Sequence, residues 1–158
     1  MQEFHGRASA RIDAAPEQIF DLITDVGRLP EWNSAIEAVV RRPAALVPGA
    51  EWQITMHPPR LPRWGSISRV EEIDSRSLRF SYETRNADGN PSRVKWAWQI
   101  TPDGHGATVA VTWHCYLKTF DRRVFAGPLR KRQLAREVPR SIAAIGAAVA
   151  APPAPAQR

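Results

Sequence analysis

Two short stretches decide the reading of this chain: Ala-Ala-Pro-Glu-Gln-Ile-Phe-Asp-Leu-Ile-Thr-Asp (residues 14–25) and Leu-Pro-Glu-Trp-Asn (residues 29–33). In the first, Ile19, Phe20, Ile23 and Val26 recur at helical spacing, and Pro16 suits a first helical turn. Asp13 is placed to cap this helix over residues 16–26 and Gly27 to end it. The second stretch reads as a further short helix or turn carrying Trp32. Upstream, residues 4–12 alternate as a strand.

Downstream the period drops to two. Strand-like runs cover residues 36–42, 51–57, 64–73, 78–85, 93–100 and 107–117, separated by turn signals such as Pro48-Gly49, Asp74-Ser75, Asp88-Gly89-Asn90 and Asp103-Gly104. Runs of about ten residues joined by tight turns predict antiparallel hairpins in sequence order. Leu78, Phe80 and Tyr82 share one face; so do Trp96, Trp98 and Ile100, and Val109, Val111 and Trp113. The opposite face is polar, as in a sheet covered on one side. After the last strand the helical period returns: Leu134, Val138, Ile142, Ile145 and Val149 form a stripe with Ser141 beside it, on a long helix over residues 124–148. Pro139 lies inside that helix as a point of bending.

The order predicts an α+β chain, seven antiparallel strands with helices on one face. Seven strands offer more inner face than one long helix can cover, so large side chains fill the surplus or a cavity remains. Residues 1–148 make one domain, and residues 149–158 an Ala/Pro-rich tail expected to be disordered. At 158 residues the chain is long enough for a real core, since a domain near 150 residues buries roughly 68–70% of its unfolded surface. Its 43% apolar and 24% charged content excludes a disordered or fibrous chain. No span is apolar enough for a membrane, the N-terminus lacks a secretory pattern, and the lone Cys115 excludes an internal disulfide, so a cytoplasmic location is expected.

The formal charge of +6 is concentrated. Residues 118–140 hold eight basic side chains (Lys118, Arg122, Arg123, Arg130, Lys131, Arg132, Arg136, Arg140) against Asp121 and Glu137. Such a segment reads first as a solvated helix face; it also suits an acidic partner. No aromatic platform is interleaved with it, so no DNA or RNA partner is expected. No phosphate loop, nucleophile elbow or metal motif is present, the four histidines are scattered, and no metal or cofactor is expected.

The opening stretches, with Val-Pro-Gly-Ala (47–50), Arg-Val-Glu-Glu-Ile-Asp (69–74) before Leu-Arg-Phe (78–80), and Pro-Asp-Gly-His-Gly-Ala-Thr-Val (102–109), resemble the SRPBCC, or START-like, superfamily. The resemblance covers residues 2 to about 148 and is to the polyketide cyclase/dehydrase branch. It implies a helix-grip fold, a curved seven-stranded sheet around the C-terminal helix with an elongated apolar cavity between them. Ligand-lining candidates are then Trp32, Trp52, Ile54, Met56, Ile67, Arg69, Phe80, Tyr82, Trp96, Trp98, Val111, Trp113, Leu134, Val138, Ser141 and Ile142. The same rings would serve equally to fill a core. By resemblance to aromatase/cyclases, Arg69 is a catalytic candidate that would polarise a carbonyl, provided that it and not Val70 faces inward; Tyr82 is the second. Two functions follow: binding of a small hydrophobic molecule (lipid, sterol-like or polyketide-like), or cyclase/aromatase or dehydratase action on a polyketide tethered to an acidic carrier protein. Monomer and homodimer are both compatible with the sequence.

Overall fold

The computed structural model describes residues 2–151. Its elements are β1 (Gln2–Ile12), α1 (Pro16–Thr24), a 3-10 turn (Val26–Arg28), α2 (Leu29–Trp32), β2 (Ile36–Arg41), β3 (Glu51–Met56), β4 (Trp64–Asp74), β5 (Arg79–Asn86), β6 (Arg93–Asp103), β7 (Gly106–Leu117), a π-helical turn (Arg122–Ala126) and α3 (Gly127–Ala150). The seven strands form one antiparallel sheet in the order β1-β7-β6-β5-β4-β3-β2. This is the expected helix-grip arrangement. β1 and β2, adjacent in the chain, lie at opposite edges, and α1 and α2 bridge the distance between them.

Local details depart from expectation. α1 ends at Thr24, with Asp25 at its C-cap, and Gly27 belongs to the 3-10 turn. Ala15 occupies the N-cap of α1 and no side chain caps it, so Asp13 stands too early. Regular α-helix begins at Gly127-Pro128, where proline's missing N–H costs nothing, and runs through Pro139 to Ala150. The expected tail beyond it, residues 152–158, lies outside the described residues.

α3 packs against β1, α1 and α2. Leu134, Val138, Ile142 and Ile145 form its buried stripe and meet Ile19, Phe20, Leu22 and Ile23 of α1 and the strand residues Ile100, Val109 and Val111 in one core. Complete burial of such side chains stabilises by about 1.5–3 kcal/mol each.

β4 carries the irregularity that shapes the interior. Its pairing with β5 matches Val70 to Tyr82, but then Glu72 to Ser81 and Ile73 to Phe80, so one extra residue is accommodated between Val70 and Glu72. A bulge of this kind reverses the side-chain parity of a strand. Ile73 packs against the core, and on the other side of the bulge Ser66, Ser68 and Val70 are the buried residues.

On β1 the inner face is small for a different reason. Gly6 stands opposite Trp113 of β7, and the Trp113 indole occupies the place that a Cβ on Gly6 would take. Gly6→Ala is expected to cost about 1–3 kcal/mol by overpacking, read as a lower thermal unfolding midpoint. An unchanged midpoint would show that the ring moves aside freely.

A two-chambered cavity with an arginine at the junction

Between the sheet and α3 lie two adjoining chambers, of about 300 Å³ and about 70 Å³, whose linings share Ser66, Thr84, Val94 and Arg130. The smaller, inner one is walled by Trp52, Ile54 and Met56 of β3, Tyr82 of β5, Trp96 and Trp98 of β6, and Trp32 of α2. Val138, Ser141 and Glu137 of α3 close its other side. The larger, outer one lies towards the hairpin ends, lined by Leu61, Pro62, Trp64, Asn86, Ser92 and the start of α3.

The aromatic wall is continuous. Trp32 meets Trp98 edge-on at 5.5 Å, Trp52 meets Tyr82 edge-on at 4.9 Å, and Tyr82 stacks near Trp96 at 6.4 Å. Space is left against this wall because β4 presents serines: Ser66 and Ser68 are both buried, and the Ser68 hydroxyl is 2.8 Å from that of Thr84. Two polar groups in the wall keep unused capacity. The Trp32 indole N–H is buried without an acceptor among the described residues. The Tyr82 hydroxyl accepts a hydrogen bond from Trp98 Nε1 at 3.3 Å, and its own proton has no acceptor among the described residues. Burial pushes the Tyr82 phenol up to about 12, against the smaller opposing effect of the Trp98 hydrogen bond. Tyr82 is therefore a neutral donor throughout ordinary pH.

Arg130 stands where the chambers meet. Its Nη1 donates to Gln133 Oε1 at 2.8 Å, Gln133 Nε2 donates to Glu137 Oε2 at 2.7 Å, and the guanidinium lies 5.5 Å from the Trp64 ring centroid. Burial lowers its pKa, with Glu137 and then Cys115 acting the other way. A guanidinium remains charged all the same. Cys115, in the outer lining, is pushed up to about 12 by burial, so it is a thiol and a poor nucleophile at neutral pH.

Of the sixteen lining candidates, Trp32, Trp52, Ile54, Met56, Tyr82, Trp96, Trp98, Val138 and Ser141 come together around the inner chamber. Phe80, Val111, Trp113, Leu134 and Ile142 are buried core residues that border neither chamber. Ile67 and Arg69 are corrections. Val70 is buried and Arg69 exposed, on the outer face between Glu51 of β3 and Glu83 of β5. Counting back from Ile73 by alternation gives the wrong face because of the bulge. Sequence reasoning missed Arg130, Gln133, Glu137, Ser66, Ser68 and Thr84. For Arg130 a signal existed: it precedes Leu134 by four residues, the spacing that joins Leu134 to Val138.

A family model described as "Polyketide cyclase / dehydrase and lipid transport" matches residues 3–150. The chain belongs to this family. The same fold recurs in solved structures at low identity. TTHA0849 from Thermus thermophilus is 19% identical with a TM-score of 0.73, covering 92% of this chain and 97% of that one. Ara h 8.0201 is 13% identical with a TM-score of 0.70, covering 94% and 98%. The di-domain ARO/CYC StfQ from the steffimycin biosynthetic pathway is 12% identical with a TM-score of 0.74, and this chain spans 50% of its length. No curated protein matches the chain in sequence. No helix among the described residues is long and apolar enough to cross a membrane.

The protonation state of Tyr82 can be read directly. With Tyr116, the other of the two tyrosines, replaced by Phe, phenolate absorbance is expected only as pH approaches about 12. Because the folded state holds this proton more tightly than the unfolded chain, the linked stability is intact below pH 10 and falls between 10 and about 12. Ionisation near pH 10 would show the hydroxyl open to water.

Proposed function

We propose that the protein binds a small hydrophobic molecule, lipid, sterol-like or polyketide-like, in the cavity between the sheet and α3. One observation carries the reading: buried serines of β4 interrupt the aromatic wall where further apolar side chains would fill the space under α3, leaving chambers of about 70 and 300 Å³. Sites for small molecules have this character, mostly apolar with a few orienting polar groups. The Tyr82 O–H is such a group, able to meet an oxygen of the bound molecule. In this reading the protein works in the cytoplasm.

A second reading is supported by Tyr82 and by the fold shared with an ARO/CYC protein. A neutral phenol in an apolar wall can polarise a carbonyl, and holding a reactive chain in one conformation supplies further rate, up to about 7–11 kcal/mol in favourable cases. In a cyclase or aromatase of this kind Tyr82 carries the role first assigned to Arg69, and the basic start of α3 is the place where an acidic carrier protein would dock.

Titration with 1-decanol, followed by tryptophan fluorescence, tests the binding reading, since Trp32, Trp52, Trp96 and Trp98 all line the inner chamber. Saturable binding is expected in the wild type, with at least about tenfold weaker affinity in Ser68→Leu, whose side chain fills the chamber. Arg69→Met, on the outer face, should leave binding unchanged. Equal binding by wild type and Ser68→Leu would place the ligand elsewhere. Tyr82→Phe separates the two readings: a binder keeps its affinity within a few-fold, whereas a cyclase binds but loses turnover.

A further inference from the structure

Four arginines border the outer chamber, Arg85, Arg93, Arg122 and Arg130, but Arg85 and Arg93 alternate with the inward Thr84 and Val94, so their side chains leave for the other face of the sheet. Three of the four have a carboxylate partner outside the lining: Arg85 meets Glu51 at 3.5 Å, Arg93 meets Glu83 at 3.3 Å and Arg122 meets Asp88 at 3.2 Å. Arg130 has no carboxylate within 4.0 Å among the described residues, and its recorded hydrogen bond goes to the neutral amide of Gln133. A guanidinium offers five donors in a planar fork, and a charge drawn out of water needs a partner of opposite sign. Glu137 is not that partner: it lies seven residues further along α3, about 10 Å down the helix axis, and accepts from Gln133.

We propose that Arg130 is the recognition point for the carboxylate of an amphipathic acid whose apolar body lies in the two-chambered cavity, with its end against the aromatic wall of the inner chamber. The inference rests on reading the cavity as a ligand site and names the class of ligand that site takes. A carboxylate matches the guanidinium fork with two parallel hydrogen bonds. Its orientation is set by charge. Glu137 lines the inner chamber and repels an acid from that end, while Arg130 is the cationic side chain at the junction that no carboxylate pairs within 4.0 Å among the described residues. The acid group therefore sits at the junction and the apolar body points towards Trp32, Trp96 and Trp98.

The test compares decanoate with 1-decanol, equal in chain length and different in charge, by isothermal titration at pH 8. Wild-type protein should bind decanoate about tenfold or more tighter than decanol, the size expected of a charge-assisted contact. Arg130→Met should abolish that preference, weakening decanoate about tenfold while leaving decanol within about twofold; Arg130→Lys should retain part of it. Thermal unfolding checks that the variants fold, and the wild-type comparison stands by itself if they do not. Equal wild-type affinities, or an Arg130→Met variant that weakens both probes alike, would overturn the proposal while leaving an apolar site in place. Binding of neither probe would overturn the ligand-site reading and this inference together.

Discussion

One extra residue between Val70 and Glu72 governs the interior of this protein. Without it, strict alternation from Ile73 would carry Glu71, Arg69 and Ile67 inward, placing two charges and a large aliphatic group under α3. With it, Ser66, Ser68 and Val70 face inward and the charges join the outer face, where Lys95 and Glu71 pair at 2.7 Å and Arg93 and Glu83 at 3.3 Å. The serines of β4 then sit between the aromatic side chains of β3 and those of β5 and β6, too small to fill the inner face beside them. A single helix covers part of the remaining gap, and the chambers are what it leaves uncovered.

The polar groups inside the cavity follow from the same geometry. A buried donor with no acceptor is costly, on the order of 1–3 kcal/mol, and interiors hold few of them. Among the described residues Trp32 leaves one, Tyr82 keeps a proton with no acceptor, and Arg130 donates to an amide instead of a carboxylate. Three such groups around one cavity serve the core poorly and a ligand with oxygen functions well. The chain Arg130–Gln133–Glu137 holds the guanidinium in place and separates the two charges along α3, which gives the cavity a positive and a negative end.

Much of the fold is legible in the sequence because its signals are local. The proline and apolar spacing of residues 14–25 mark a helix after the first strand, turn residues mark each hairpin, and alternation assigns the inner faces of β5, β6 and β7. The resemblance to the superfamily rests on that order and holds across the chain. The site is harder to read. Trp113 is spent against Gly6 across the β1–β7 pairing, a contact between residues far apart in sequence. Arg69 is attractive by analogy, but its direction depends on a bulge that no local pattern announces. Charge alone groups Arg130 with the solvated basic residues, although its spacing from Leu134 already places it on the buried stripe.

We read the cavity as a site for a small apolar molecule and not as a packing defect. Native mass spectrometry of freshly purified protein, with extraction and identification of whatever is bound, tests it most directly. A near-stoichiometric adduct of an amphipathic molecule is expected, released on denaturation and absent from the Ser68→Leu variant. A bare protein mass that stays bare after incubation with excess decanoate and 1-decanol would contradict it.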